Sequence, residues 1–182
     1  MMKSLITTCI CLLFLGIGSL QAQIDVTINP IGILWGDINL GADFGIKEDF
    51  SIEGLIGFGT GNELDADFNS FNVTSSAKYY FNPKNGVDKF YGFGFLRFVN
   101  RSYDYEDDSV FANYSQSRLG LGVGAGFKAA SDKGFIFDIN LGVGRAIIDN
   151  TSFDDGNGEE VVLDWPDIMF TGKIGVGYRF NN

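Results

Sequence analysis

A chain of 182 residues has the length of one domain, and 45% hydrophobic with 15% aromatic residues is ample apolar material for a folded structure. The formal charge of −10, from 23 acidic against 13 basic residues, argues against nucleic acid or any other polyanion as a partner. Histidine is absent, Cys9 and Cys11 are the two cysteines, and no apolar run reaches the length of a membrane helix. Those facts exclude a disulfide framework, a thiolate metal site and a helical membrane protein.

The chain opens with one cation, Lys3, an apolar stretch over 5–18, and Ser19-Leu20-Gln21-Ala22 with a small residue ahead of Gln23. That order is expected of a cleaved secretory signal at 1–22, leaving 23–182 as a single barrel domain. The two cysteines sit near the start of the apolar stretch, where a lipid-attachment cysteine would not be.

Beyond Gln23, period-2 alternation dominates and no segment keeps a 3.6-residue period. Eight strands are predicted, at 26–35, 38–46, 50–60, 70–81, 89–99, 114–127, 135–146 and 167–180. The connections at 47–49, 82–88 and 128–134 are compact and rich in turn formers. Those at 61–69, 100–113 and 147–166 are longer and polar, while the one near Gly36-Asp37 is tight. Antiparallel strands put alternate connections at opposite ends of a barrel, so short turns are expected at one end and long loops at the other, as in outer-membrane barrels.

The alternating sets differ in kind. Leu119, Leu121, Val123, Ala125 and Phe127 oppose Arg118, Gly120, Gly122, Gly124 and Gly126; Phe135, Phe137, Ile139, Leu141 and Val143 oppose Asp138, Asn140, Gly142 and Gly144. The predicted second, fourth and eighth strands repeat the division. An eight-stranded barrel is only wide enough inside for side chains to fill it, so the large apolar set must point outward, into lipid. The glycines and polar residues then point inward, with glycine making room for long charged neighbours. Aromatic residues recur at both strand ends, Phe44, Phe50, Tyr79, Phe81, Phe90, Tyr91, Phe127, Phe135, Tyr178 and Phe180 at one and Trp35, Phe58, Phe71, Phe98, Tyr114, Trp165 and Phe170 at the other. Two such girdles are expected at the two interfaces of a membrane. The fold class expected is therefore all-β, an eight-stranded antiparallel up-and-down transmembrane β-barrel.

The stretch 28–59, beginning Ile28-Asn29-Pro30-Ile31-Gly32, is similar to the opening hairpins of a broad outer-membrane β-barrel family, and the closing pattern Ile174, Val176, Tyr178 and Phe180 fits its last strand. The chain as a whole resembles the small OmpA/OmpX-type outer-membrane barrels. The resemblance covers the mature chain as pattern and little of it as motif. It implies insertion by the barrel-assembly machinery, which reads a terminal aromatic; here Asn181 and Asn182 follow Phe180.

Candidate chemistry is sparse. Asp43, Glu53, Lys78, Arg118, Asp138, Lys173 and Arg179 are expected inside as paired charges that fill and lock the lumen, the alternative being a narrow ion path. Arg97 and Arg145 interrupt the apolar set near the outer headgroups, where a guanidinium could meet lipopolysaccharide; the alternative is a β-bulge that turns them inward. The long connections are acidic, with Asp104, Glu106, Asp107 and Asp108 in one and Asp149, Asp154, Asp155, Glu159, Glu160 and Asp164 in another. Their spacing fails the calcium-loop pattern, so a solvated face is expected there. No histidine is present as general base, so no catalytic, cofactor or metal residue is assigned. The expected function is a non-catalytic, monomeric outer-membrane barrel with a structural or surface-contact role through its acidic loops, touching outer-membrane lipid, with lipopolysaccharide as a candidate partner. The alternatives are a small channel or passive porin and a soluble lipocalin-like binder.

Overall fold

The computed structural model describes residues 23–180 except 35, 64–65, 108–109, 155–159 and 163–166. The expected signal at 1–22, Trp35, Trp165 and most of the acidic run from Asp155 to Asp164 lie outside the described residues. Described are β1 (Ile24–Ile28), α1 (Pro30–Leu34), β2 (Asp37–Lys47), β3 (Phe50–Glu63), β4 (Ala66–Tyr80), β5 (Lys89–Asp107), β6 (Val110–Ala130), β7 (Phe135–Asp154), β8 (Glu160–Val162) and β9 (Ile168–Phe180).

Each strand from β1 to β7 pairs antiparallel with the next, β7 pairs with β9, and β9 pairs with β1, which closes the ring. Eight wall strands thus form an up-and-down barrel, and the three-residue β8 only lengthens the far end of β7. Closure gives the paired backbone groups partners within the wall and removes the sheet edges where β1 and β9 are paired.

The barrel is inverted relative to a water-soluble one. Outward-facing Val123, Leu141 and Phe170 are 67, 69 and 66% exposed, whereas Lys78, Lys128 and Asp138 are 0% exposed inside. Aromatic pairs flank the outward belt at both ends: Phe90 with Phe127 at 4.9 Å and Phe135 with Tyr178 at 6.1 Å near the short turns, Phe58 with Phe71 at 5.2 Å near the far rim. Two members of the expected girdles face the other way. Tyr91 is 1% exposed inside, and Tyr114 shares the inner-facing alternate set of Gln116 and Arg118.

The polar connections at 61–69 and 100–113 are largely strand. β3–β4 pairing runs to Glu63↔Ala66 and β5–β6 pairing to Asp107↔Val110, so the wall continues upward as long hairpins. Aromatic side chains in register across three strands account for this: Phe68 stacks on Tyr103 at 6.0 Å, and Tyr103 meets Tyr114 at 5.8 Å. Such cross-strand pairs stabilise a sheet where the intervening residues are polar. β7 likewise continues to Asp154, after a bulge: Leu119 pairs with Ile148 and Gly120 with Ala146, leaving Ile147 unpaired. The bulge reverses the alternation, so Asp149 and Thr151 turn inward.

The first predicted strand, 26–35, ends early. Asn29 Oδ1 accepts from the backbone N–H groups of Ile31 and Gly32 at 3.1 and 3.3 Å, and Pro30 has no N–H to give a ladder. The chain therefore turns into α1 after Ile28. Because the last β1–β9 pair is Ile28↔Val176, the upper half of β9, from Ile168 to Ile174, has β7 as its only strand neighbour among the described residues. α1 packs against β2 and β9 in place of a continued β1.

Candidate functional site

Alternation aims one charged or hydroxylated side chain from each of the eight wall strands at the lower lumen: Asp25, Asp43, Glu53, Lys78, Tyr91, Lys128, Asp138 and, from β9, both Lys173 and Arg179. Arg179 Nε and Nη2 meet Asp25 Oδ1 and Oδ2 at 2.8 and 2.9 Å. Asp25 reaches Lys128 at 3.0 Å, and Lys128 also bonds Asp43. Lys78 Nζ lies 3.0 Å from Asp43, 3.0 Å from Glu53 and 3.2 Å from Asp138; Lys173 bonds Glu53 and sits 2.6 Å from Asp138. Four carboxylates and four cations form one unbroken, neutral chain.

Tyrosines complete it. Tyr80 donates to Asp43 at 3.2 Å and Tyr91 to Asp138 at 2.6 Å, while the Lys78 ammonium lies 4.9 Å from the Tyr91 ring centre and that of Lys128 5.4 Å from the ring centre of Tyr80. A buried ion is tolerated when opposite charge and hydrogen bonds surround it, and this arrangement supplies both. Asp43, Glu53 and Asp138 bring carboxylate oxygens within 4.8 Å of one another, a geometry that could hold a metal ion. The Lys78 ammonium stands at hydrogen-bonding or ion-pair distance from all three and occupies that role.

The short-turn end is sealed. Arg179 also donates to the carbonyls of Asn85 and Val87, and Val87, 1% exposed, packs with Tyr80, Tyr91, Phe93 and Phe95. The connection at 82–88 therefore folds across the mouth. Above the network the inner face of β5 carries Tyr91, Phe93 and Phe95, and these rings lie against β6 where it is glycine. A Cβ on Gly124 would come within 2.4 Å of the Phe93 ring. The β6 glycines thus make room for aromatic rings, not for the long charged side chains expected there.

Higher still, a polar cup of about 260 Å³ is lined by Asn29, Asp37, Asn39, Asn72, Arg97 and Arg101 among others, and continues into a second space of about 220 Å³ beside Gln116 and Arg118. Arg97 points inward by plain alternation with Tyr91, Phe93 and Phe95, with no bulge near it. Its Nη1 donates to the backbone carbonyl of Phe170 at 2.5 Å, on the stretch of β9 that β1 leaves uncovered.

Arg118 lies outside the buried network; its ion pair is with Asp149, at 2.9 Å, above the bulge. Arg145 stays outward, 77% exposed at its side chain, with Asp167 at 2.6 Å. Sequence reasoning missed Asp25, which precedes the first expected strand, and Lys128, which was assigned to a turn. Continuing the alternation two residues past Gly126 and one before Val26 finds both.

The chain matches, over residues 5–179, a family described as "Protein of unknown function (DUF3575)", and it belongs to that family. No curated protein and no solved structure matches it.

Proposed function

We propose that this member of an uncharacterised family is an integral outer-membrane barrel that does not conduct, with a lumen locked by ion pairs and tall hairpins that present a contact surface. The observation that carries the reading is the inversion of the barrel: apolar side chains outside, a neutral eight-charge network inside. In water the outward belt would be an aggregating surface, whereas in lipid it is the surface the solvent requires. The aromatic pairs at its two ends match interfacial anchors. The signal-like N-terminus and the resemblance to small OmpA/OmpX-type barrels point to the same membrane.

A porin would need a water path through the level of Lys78 and Lys128, where both side chains have no exposed surface and the 82–88 connection covers the end. That favours a plugged barrel over a channel. A soluble lipocalin-like binder would need the opposite polarity of faces. The short turns then face the periplasm and the hairpins carrying Asp104 and Arg101 face outward. Lipopolysaccharide contact falls to Arg145 alone, since Arg97 points into the lumen. Insertion would be by the barrel-assembly machinery, and the chain would act as a monomer without catalysis.

Fractionation of the envelope, heat-modifiable gel migration and planar-bilayer recording test this together. The expected result is outer-membrane recovery, a migration shift on boiling and conductance no different from protein-free bilayers. Recovery in the soluble periplasmic fraction, or discrete conductance steps, overturns the reading.

A further inference from the structure

Arg97 stands above the ion-pair network and is not a member of it. A guanidinium carries five N–H donors; Nη1 goes to the Phe170 carbonyl, and Nε is shielded from solvent with no hydrogen-bond partner. Asp37, the one carboxylate lining the same cup, accepts from Ser70 at 3.2 Å. Arg101, at the rim of the cup, adds a second positive charge. A guanidinium whose Nε is shielded and unpaired carries a desolvation cost that an anion on its free donors would offset. The cup is thus positive, shaped in polar groups, and short of an acceptor.

The cup also opens sideways. Asn29, Ile31 and Gly172 line both the cup and a shallow apolar groove of about 680 Å³ on the outer wall, where Phe127, Ile139, Leu141 and Ile174 lie. They meet where β1 has ended and β9 lacks its second strand neighbour. A Cβ at Gly172 would find Asn140 O at 3.5 Å and Leu141 Cδ1 at 3.6 Å, which is ordinary contact, so nothing in the protein requires glycine there. Gly54, Gly92 and Gly94 are as uncrowded, but among these glycines Gly172 alone borders both the cup and the groove, where a strand glycine can admit the close approach of a ligand.

We infer that the upper half of the barrel binds a long-chain carboxylate. The head takes the guanidinium fork of Arg97, with Arg101 beside it, and the chain leaves over Gly172 to lie along Ile139, Leu141 and Ile174. A carboxylate suits because its two oxygens match a guanidinium's paired donors. The apolar tail suits because the groove, although Asn29, Asn140 and Lys173 also border it, is lined chiefly by apolar side chains and adjoins the belt. The proposal rests on the membrane reading only for where the ligand comes from, because binding in micelles does not depend on where the protein resides.

Calorimetric titration of the full-length protein in maltoside micelles with palmitate, hexadecanol and inorganic phosphate tests it. Palmitate is expected to bind saturably, with hexadecanol and phosphate each about tenfold weaker or more, as loss of a charged hydrogen bond implies. Arg97→Gln should weaken palmitate by about tenfold or more on the same ground. Gly172→Leu, which fills the opening from the wall side, should weaken palmitate comparably while gel migration on boiling stays that of the parent. Should Arg97→Gln fail to fold, Gly172→Leu and the hexadecanol comparison still decide. Equal binding of palmitate and hexadecanol, phosphate binding as tight as palmitate, indifference to Gly172→Leu, or no palmitate binding would each overturn the proposal.

Discussion

Asp25 and Arg179 stand opposite each other in the register of the first and last wall strands, and the guanidinium fork of one closes on both oxygens of the other at 2.8 and 2.9 Å. The pair is buried, and it fastens the single seam that distinguishes a closed barrel from an open sheet. Arg179→Met leaves the Asp25 carboxylate with Lys128 as its remaining cation. Removing one partner of a buried pair costs about 3–5 kcal/mol. Urea unfolding in micelles followed by circular dichroism should show that loss, and the double variant Asp25→Leu with Arg179→Met should lose less than Arg179→Met alone. A single variant within about 0.5 kcal/mol of the parent would mean the seam is held by backbone pairing and belt packing instead.

Lys78 occupies the centre of three carboxylates, so its removal has a chemical as well as a mechanical consequence. Lys78→Ala leaves Asp43, Glu53 and Asp138 with oxygens within 4.8 Å of one another and space where the ammonium was. Hard cations favour such clustered carboxylate oxygens. The variant is expected to be strongly destabilised in chelator and to regain stability with millimolar calcium or magnesium, while the parent is indifferent to both. Melting followed by circular dichroism with and without the cation checks it; no cation dependence in the variant refutes it.

Much of this was legible in the sequence, and the parts that were not have physical causes. Strand number and the inside-out polarity followed from alternation, because strands with one apolar and one polar face separate their two sets cleanly, as Leu119 to Phe127 do. β5 is different: Phe90, Leu96 and Phe98 face out while Tyr91, Phe93, Phe95 and Val99 face in, so both sets are apolar and neither announces its direction. The tall hairpins were read as loops because their composition is polar, and what holds Phe68, Tyr103 and Tyr114 in register is pairing across strands, which no local window contains. Asp43, Glu53, Lys78, Asp138, Lys173 and Arg179 were expected inside and do come together, yet which acid meets which cation depends on register between strands far apart in the chain. Arg97 looked like an outward interruption because its own alternate set, Phe93, Phe95 and Val99, is apolar and was taken to face out; that set, with Tyr91, faces inward.

The contact between Phe93 and Gly124 gives a prediction about size. A Cβ added at Gly124 meets the Phe93 ring at 2.4 Å and the Leu141 carbonyl oxygen at 2.5 Å, so Gly124→Ala must displace both a flexible ring and the backbone. Overpacking of this kind costs typically about 1–3 kcal/mol. Phe93→Leu in the same chain should recover part of that loss and not all, because the carbonyl contact remains. The expected outcome is a positive coupling in a double-mutant cycle measured by urea unfolding. Strict additivity would show that the ring is not what excludes a side chain from position 124.

Arg145 and Asp167 supply the contrasting case. Both lie on the outward side, at the middle of β7 and just before β9, with side chains 77 and 45% exposed and with exposed Ile147 and Ile148 above them on β7. An ion pair in water or among hydrated headgroups contributes about 0.2–1 kcal/mol and weakens as salt screens it. Within the apolar layer the same pair would couple far more strongly, because water would not screen it. A double-mutant cycle of Arg145→Gln and Asp167→Asn in lipid vesicles is therefore expected to give a coupling under about 1 kcal/mol that shrinks between low and high salt. A coupling of several kcal/mol that ignored salt would sink the pair into the hydrocarbon. On the proposed membrane reading, the apolar layer would then reach above Arg145 to Ile147 and Ile148, and the gap beside Gly172, lower on β9, would lie well inside it.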